Sequence, residues 1–491
     1  MDNQSYTTIR VNPSMMSSLS WDNLRSFFIS VAFILMDYLA IVAAALTAFF
    51  IRAKLIPLLH DNLIVPDVFI YVIIPAAFML FLHFDRKYIN KLYFWQQAAR
   101  LFKASLYAML LTLVVLFFSG SVKEVSRIFT VLLWFFSFGY LAIGRYFFKK
   151  MVMNIGALQA PTILVGAGKT AELLLESFRK NGGSGYKIVG LIEDQPQKSC
   201  VAGRYPVLGT FAQAETIVQN AGVKHVLIAA PGLIREELLD LVYRLQPYVN
   251  HVTFVPDLLG VPVGSMELDT LFNEKTVLLR IKNNLSQIHN RALKLLFDCF
   301  CTIIGVALVA PLCFLIGVII YLDSPGPVIF AHKRVGYKGK KFPCYKFRTM
   351  VNNSREVLEQ YLRDNPAARE EWERDFKLKD DPRVTKIGRF LRKTSLDELP
   401  QFLNVLKGEM SLVGPRPIVD VEVERYGKYI NDYYLVRPGI TGIWQVSGRN
   451  DVGYSERVEM DSWYVRNWSL WLDIILLIKT VGIVLKRKGA Y

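Results

Sequence analysis

Two adjacent carboxylates, Asp397 and Glu398, stand at the head of a short apolar run in TSLDELPQFLNVLKGEMSLVGPRP, residues 394–417. Arg392 precedes the pair, and a Gly-Pro-Arg-Pro turn carrying Arg416 follows it. An acid pair between fixed arginines has the parts to handle a metal-bound phosphate. One carboxylate can attack, its neighbour can hold a divalent cation, and guanidinium forks can take phosphate oxygens two at a time. Adjacent side chains on a helix diverge, which leaves the two acids free for different tasks. Ser395-Leu396-Asp397-Glu398 is also a capping box, in which the acids would complement a helix dipole. Pro400 agrees with a helix that starts here, since proline is tolerated in a first turn. The two readings coexist, because a helix start offers free N–H groups to an anion.

Further cations lie in two loop-rich segments. Lys346 and Arg348 sit in KFRTM, and Arg449 sits in the SGR of RPGITGIWQVSGRND, where Gln445 is a further substrate-binding candidate. Proline and glycine are dense around them, as in loops arranged about a site.

The elements that must position these residues belong to a membrane protein. The 491 residues are 52% hydrophobic yet carry a net charge of +16. Apolar and basic together suit anionic lipid or anionic substrates; the cations are interleaved with apolar spans, which argues against nucleic acid. Five scattered cysteines form neither a disulfide framework nor a metal spacing. The polar N-terminus lacks a signal-peptide pattern.

Apolar segments at about 27–51, 67–84, 101–119 and 128–147 read as four transmembrane helices. Arg86, Lys87, Lys91, Arg100 and Lys103 crowd the middle loop, and Arg145, Lys149 and Lys150 the exit; the opposite loops hold Arg52, Lys54, Lys123 and Arg127. The bias puts the N-terminus and everything after residue 150 in the cytoplasm. The spans read as anchors, without the central charge of a transport path. Residues 159–262 then alternate strand and helix in a Rossmann-like pattern. Gly166-Ala167-Gly168 fits a dinucleotide fingerprint or merely a tight turn, with Glu193 or Asp194 near the ribose position.

A fifth apolar stretch, Leu295 to Leu322, is broken only by Asp298, and cations flank both ends. Charge symmetry and Pro311 near its middle predict a re-entrant helix that bends and returns to the same face; its length alone would suit a fifth full span, which would put residues 323–491 outside the cell. In the last segment Trp463, Trp468 and Trp471, with Lys486, Arg487 and Lys488, predict an interfacial helix.

The blocks SPGPVIFAHKRVGYKGKKFPCYKFRTM, DFKLKDDPRVTKIGRFLRKTSLDELPQ, MSLVGPRPI, GITGIWQVSGRNDV and DSWYVRNWSLW resemble the large form of the bacterial polyprenyl-phosphate hexose-1-phosphate transferases, and most closely the undecaprenyl-phosphate galactose phosphotransferases. The resemblance covers nearly the whole chain. It implies a mixed α and α/β membrane protein: a cytoplasmic tail (1–26), a four-helix transmembrane bundle (27–150), a Rossmann-like cytoplasmic insert (159–262), a linker (263–288), a re-entrant helix (289–322) and a monotopic catalytic domain (323–491). It further implies transfer of hexose-1-phosphate from a UDP-hexose to undecaprenyl phosphate, with release of UMP, at the cytoplasmic face of the bacterial inner membrane. Asp397 would be the nucleophile, with Glu398 helping it hold Mg²⁺; Arg392 and Arg416 would bind phosphate, and a homodimer is expected. Galactose is the expected sugar and glucose the alternative. A membrane-bound NAD-dependent dehydratase or epimerase would need a second fingerprint and a Tyr-x-x-x-Lys pair, and neither stands in a convincing context. A non-enzymatic scaffold would not need the acid and arginine set.

Overall fold

The computed structural model describes residues 14–55, 65–84, 94–119, 126–155, 159–180, 185–196, 201–256, 266–271, 276–281, 283–375, 378, 381–447 and 453–486. Arg449, Arg86, Lys87, Lys91, Lys123, Arg487 and Lys488 lie outside these residues. The chain divides into two compact units, Met1–Leu259 and Gly260–Tyr491.

The first unit begins with helices Ser14–Phe50, Ile74–Phe84 (entered through a π turn, Phe69–Ile73), Phe94–Phe118 and Arg127–Asn154. Their shared core is apolar, with Ile41, Ala45, Ala48, Phe78, Leu133 and Leu141 packed together. Large apolar side chains such as Phe27, Leu35, Phe117 and Phe135 face outward, the distribution expected where lipid replaces water as solvent. Among the described residues four helices are long and apolar enough to cross a membrane: Phe27–Lys54, Phe94–Phe118, Arg127–Asn154 and Ile288–Asp323. The expected second span, Phe69–His83, is shorter than that.

One expectation fails inside this bundle. The first helix does carry a central charge: Asp37 is fully buried, and Arg145 donates to both its oxygens at 3.0 and 2.6 Å. Arg145 is therefore a buried partner of an acid on the first helix, which packs directly against its own, not a free cation at the exit of the last span. Pairing is what makes a charge tolerable at such a position.

Beyond the bundle, strands β1 (Ala160–Val165), β2 (Tyr186–Ile192), β3 (Val207–Gly209), β4 (His225–Ile228) and β5 (His251–Phe254) form a parallel sheet of order β3-β2-β1-β4-β5. Ile163, Leu164 and Val165 of the central strand are completely buried, as a parallel sheet covered on both faces requires. This is the doubly wound order, with its switch point between β1 and β4.

The second unit opens with an antiparallel ribbon, β6 (Met266–Leu271) and β7 (Thr276–Ile281), so the expected linker carries structure of its own. Residues Ile288–Asp323 follow as one helix with Pro311 inside it, not as two arms separated by a break. Its buried residues Lys294, Asp298 and Thr302, and then Ile316 and Ile320, are spaced by four within each group and by fourteen between the groups, which keeps them on one stripe. Leu296, Phe300, Leu308, Phe314 and Leu322 are exposed, the inverse of a helix made for water.

That stripe seats the remaining elements. Near its start the Lys294 ammonium donates to Asp473 (2.7 Å), the Val413 carbonyl (3.0 Å) and the Tyr464 hydroxyl (3.1 Å). One turn on, Asp298 accepts from the Ser411 hydroxyl at 2.7 Å. Gly305 faces the ring of Phe402, and Ile316 and Ile320 cluster with Phe347, Leu391, Leu396 and Leu399. The antiparallel hairpin β8 (Ile329–Val335) and β9 (Lys341–Phe347) and the parallel pair β10 (Ser411–Val413) and β11 (Gly439–Thr441) complete the framework. In the last helix, Leu470–Lys486, Asp473 is fully buried, and Trp468 donates its indole N–H to it at 3.0 Å. Trp468 is thus a core residue instead of an interface anchor, whereas Trp463 is exposed.

Replacing Lys294 with methionine leaves Asp473 and Asp298 buried without their cation, a change that costs about 3–5 kcal/mol. Thermal unfolding of Lys294→Met in detergent should show a large drop in melting temperature.

Candidate active site

The acid pair sits in a connection that the sequence pattern misdescribes. Helix Lys386–Thr394 ends with Ser395 in the left-handed conformation (φ 57°), its N–H returning to the Leu391 and Arg392 carbonyls. A residue closing one helix this way cannot also point its hydroxyl along the next, and Ser395 makes no capping bond. The capping-box expectation is therefore corrected: Asp397 and Glu398 lie in a short 3-10 turn, Leu396–Glu398, ahead of helix Gln401–Leu406.

What fixes the turn is packing from both sides. Leu396 and Leu399, which bracket the acids, insert into the cluster under Ile316 and Ile320. Asn404, fully buried, donates to the Pro343 carbonyl (2.7 Å) and accepts from the Tyr345 N–H (3.0 Å), tying the following helix to β9. The next residue on that strand, Lys346, then reaches the acids: its ammonium lies 2.7 Å from a Glu398 oxygen and 3.7 Å from an Asp397 oxygen. Arg392, in the last turn of the preceding helix, is held by Thr349 through a 3.0 Å bond. Burial pushes the Asp397 carboxyl above its ordinary range; Lys346 and Arg392 pull it back, and the Glu398 charge adds to the rise.

The Gly-Pro-Arg-Pro turn is equally constrained. The Gly414 N–H donates to Thr441 and the Gly439 N–H to the Pro415 carbonyl. A Cβ on Gly414 would lie 2.6 Å from the Arg437 carbonyl oxygen, and one on Gly442 2.6 Å from the Gly414 oxygen. Only glycine allows these backbones to meet. From this buried turn Arg416 projects its exposed guanidinium, 5.8 Å from the ring centre of Trp444. Ile418, two residues past Arg416, bridges to Val335 of one strand of the β8–β9 hairpin, and Lys346 of the other strand reaches the acids, so the acid turn and the arginine turn flank the same hairpin.

The structure thus gathers Asp397, Glu398, Lys346 and Arg392, with Arg416 nearby. Arg348 is engaged elsewhere: it donates to the Ser324 carbonyl at the end of the long helix and to Asn352. Gln445 lies beside the glycine turn and donates to the Ile440 carbonyl at 3.3 Å. Sequence reasoning missed Thr349 and Trp444, which stand inside blocks already singled out, and Arg334, which donates to the Pro417 carbonyl at 3.4 Å. It also missed Lys294 and Asp298; an acid four residues after a lysine, inside an apolar run, was the available signal.

Among the described residues no group of three or more His, Cys, Asp and Glu side chains is placed to hold a metal ion. Two carboxylates do suit Mg²⁺, which completes its shell with water and substrate phosphate. The Lys346 ammonium between them shows that this spot stabilises positive charge.

The glycine turn of the first unit looks less like a ligand site. Glu193 accepts the Ala167 N–H at 2.6 Å, placing a carboxylate where a pyrophosphate would bind, while Asp194 accepts from Phe211.

Comparison with known proteins matches residues 289–487 to a family model described as bacterial sugar transferase, and residues 91–256 to one described as a CoA-binding domain. An undecaprenyl-phosphate galactose phosphotransferase of Salmonella typhimurium is 39% identical over 83% of this chain and 84% of its own. The chain belongs to the bacterial sugar transferases. A UDP-galactose-lipid carrier transferase of Erwinia amylovora is 40% identical over 83% of this chain and 84% of its own. A UDP-glucose:undecaprenyl-phosphate glucose-1-phosphate transferase of Escherichia coli is 34% identical over 70% of this chain and 69% of its own. In this sugar transferase the Glu193 contact predicts that millimolar NAD or coenzyme A leaves thermal unfolding unchanged; a rise in melting temperature would show a nucleotide displacing the carboxylate.

Proposed function

We propose that the chain transfers hexose-1-phosphate, with galactose the favoured hexose, from a UDP-sugar to undecaprenyl phosphate and releases UMP. Two of the relatives matching over 83% of the chain are named for galactose, and the glucose-named Escherichia coli relative matches over less of it at lower identity. One observation carries the chemistry: adjacent acids, bridged by Lys346 and flanked by Arg392, on a body whose long helix turns its apolar face outward.

In this reading Asp397 attacks the β-phosphorus of the donor. A bond from its carboxylate oxygen to phosphorus forms, the bond from phosphorus to the bridging oxygen breaks, and UMP leaves. An oxygen of undecaprenyl phosphate then attacks the same phosphorus and restores the carboxylate. Arg392, Arg416 and Lys346 hold phosphate oxygens through both steps and offset the charge that develops there. Mg²⁺, held by Glu398 with Asp397, would neutralise charge on the diphosphate.

A lipid phosphate lies at headgroup depth, and the long helix suits a body held there. The body packs along that helix from Lys294 to Ile320. Were the helix to cross the bilayer, this polar body would have to enter hydrocarbon beside it. Lying within one leaflet avoids that cost. With the charge bias of the loops, this favours a re-entrant helix and a catalytic body on the cytoplasmic face of the inner membrane.

Purified protein should release UMP from UDP-galactose faster than from UDP-glucose, and Asp397→Asn should lose roughly a thousandfold or more in rate. Equal rates, or an active Asp397→Asn, would contradict the reading. Because the nucleophile must be ionised, activity falls as pH drops through the raised pKa of Asp397. Lys346→Met removes a charge that lowers that pKa, so the acid limb of its pH–rate profile should move to higher pH.

A further inference from the structure

We propose that Asp461 is a positioning residue for Arg416, fixing the Gly-Pro-Arg-Pro turn through its backbone so that the guanidinium meets the donor's phosphate. The inference rests on the reading of Arg416 as a phosphate contact and adds the element that holds it.

Proline has no N–H, so residues 415–418 offer only two backbone donors, those of Arg416 and Ile418. Both face buried side chains. The Ile418 N–H donates to the Tyr433 hydroxyl at 3.3 Å, and that hydroxyl donates on to the Val335 carbonyl at 2.7 Å. The Arg416 N–H faces the Asp461 carboxylate and favours its charged form, and that carboxylate accepts the Tyr426 hydroxyl at 2.8 Å. Tyr426 and Tyr433 meet edge to face with ring centres 5.2 Å apart, joining the two anchors into one wall. The turn is therefore backed on both sides of Pro417, and it can leave this wall only by stranding the Ile418 N–H.

Asp461 lies on helix Tyr454–Arg466 and is 3% exposed. Among the described residues no ion pair neutralises it, and burial pushes its carboxyl up to about 7. In either protonation state one oxygen remains an acceptor for the Arg416 N–H. Arg457, one helical turn earlier on the same face, stacks 4.8 Å from the Trp444 ring that also lies against Arg416. The helix thus holds both the backbone and the aromatic neighbour of this arginine.

The test separates position from charge. Asp461→Asn keeps an acceptor in place for the Arg416 N–H and can donate to the Tyr426 oxygen, but loses the charge. Asp461→Glu keeps the charge and displaces the acceptor by a methylene. With UMP release from UDP-galactose as the assay, Asp461→Asn should stay within about threefold of wild-type kcat/KM, and Asp461→Glu should fall by about ten- to a hundredfold. Asp461→Glu equal to or better than Asp461→Asn, or both at wild-type level, overturns the inference. Should Asp461→Glu not fold, as judged by thermal unfolding, Tyr426→Phe carries the test: it should lower kcat/KM several-fold, and unchanged kcat/KM overturns the role. Arg416→Ala tells the two failures apart. A fully active Arg416→Ala defeats the phosphate reading, whereas an impaired Arg416→Ala beside an unimpaired Asp461→Glu defeats only the positioning role.

Discussion

A single buried ammonium ties the second unit together. Lys294 sits in an otherwise apolar helix and meets Asp473, Tyr464 and the carbonyl that ends β10. Trp468 and Tyr464 complete the shell of Asp473 by donating to it at 3.0 and 2.7 Å. A charge group of this kind gains little over an apolar core of the same shape, but it tolerates no other arrangement. Its value is registration: it sets the long helix, the last helix and the strand feeding the arginine turn at one fixed height.

The candidate site hangs from that registration. The start of the long helix supports β10 and hence Arg416, while its far end supports the cluster that brackets Asp397 and Glu398. One element thereby spaces the acid turn from the arginine turn, and its opposite face is left apolar between the polar ends of the helix. The same helix can meet lipid and position the chemistry because its two faces have different partners. For a reaction between a soluble nucleotide sugar and a lipid phosphate, this is the geometric problem to be solved.

Much of this was legible in the sequence, for identifiable reasons. Adjacent acids among framed arginines, a strand-turn-helix pattern and long apolar runs are local signals, and each corresponds to an observed element. Partners chosen across the fold were not legible. Ser395 reads as a cap but closes the preceding helix. Trp468 reads as an interface anchor but serves a buried acid, and Arg348 binds the end of the long helix. Asp37 hides in an apolar run because its partner lies 108 residues away. In each case the residue type was visible while its hydrogen-bond partner was set by tertiary packing, which no spacing rule encodes.

The central claim is that Asp397 is held as a nucleophile toward phosphorus. Purified protein can be mixed with UDP-galactose and no lipid, quenched in acid, and the peptide containing Asp397 weighed. A mass gain of one hexose phosphate, located on Asp397 and discharged by undecaprenyl phosphate, is the predicted result. An unmodified peptide from protein that turns over normally once lipid is added would contradict it.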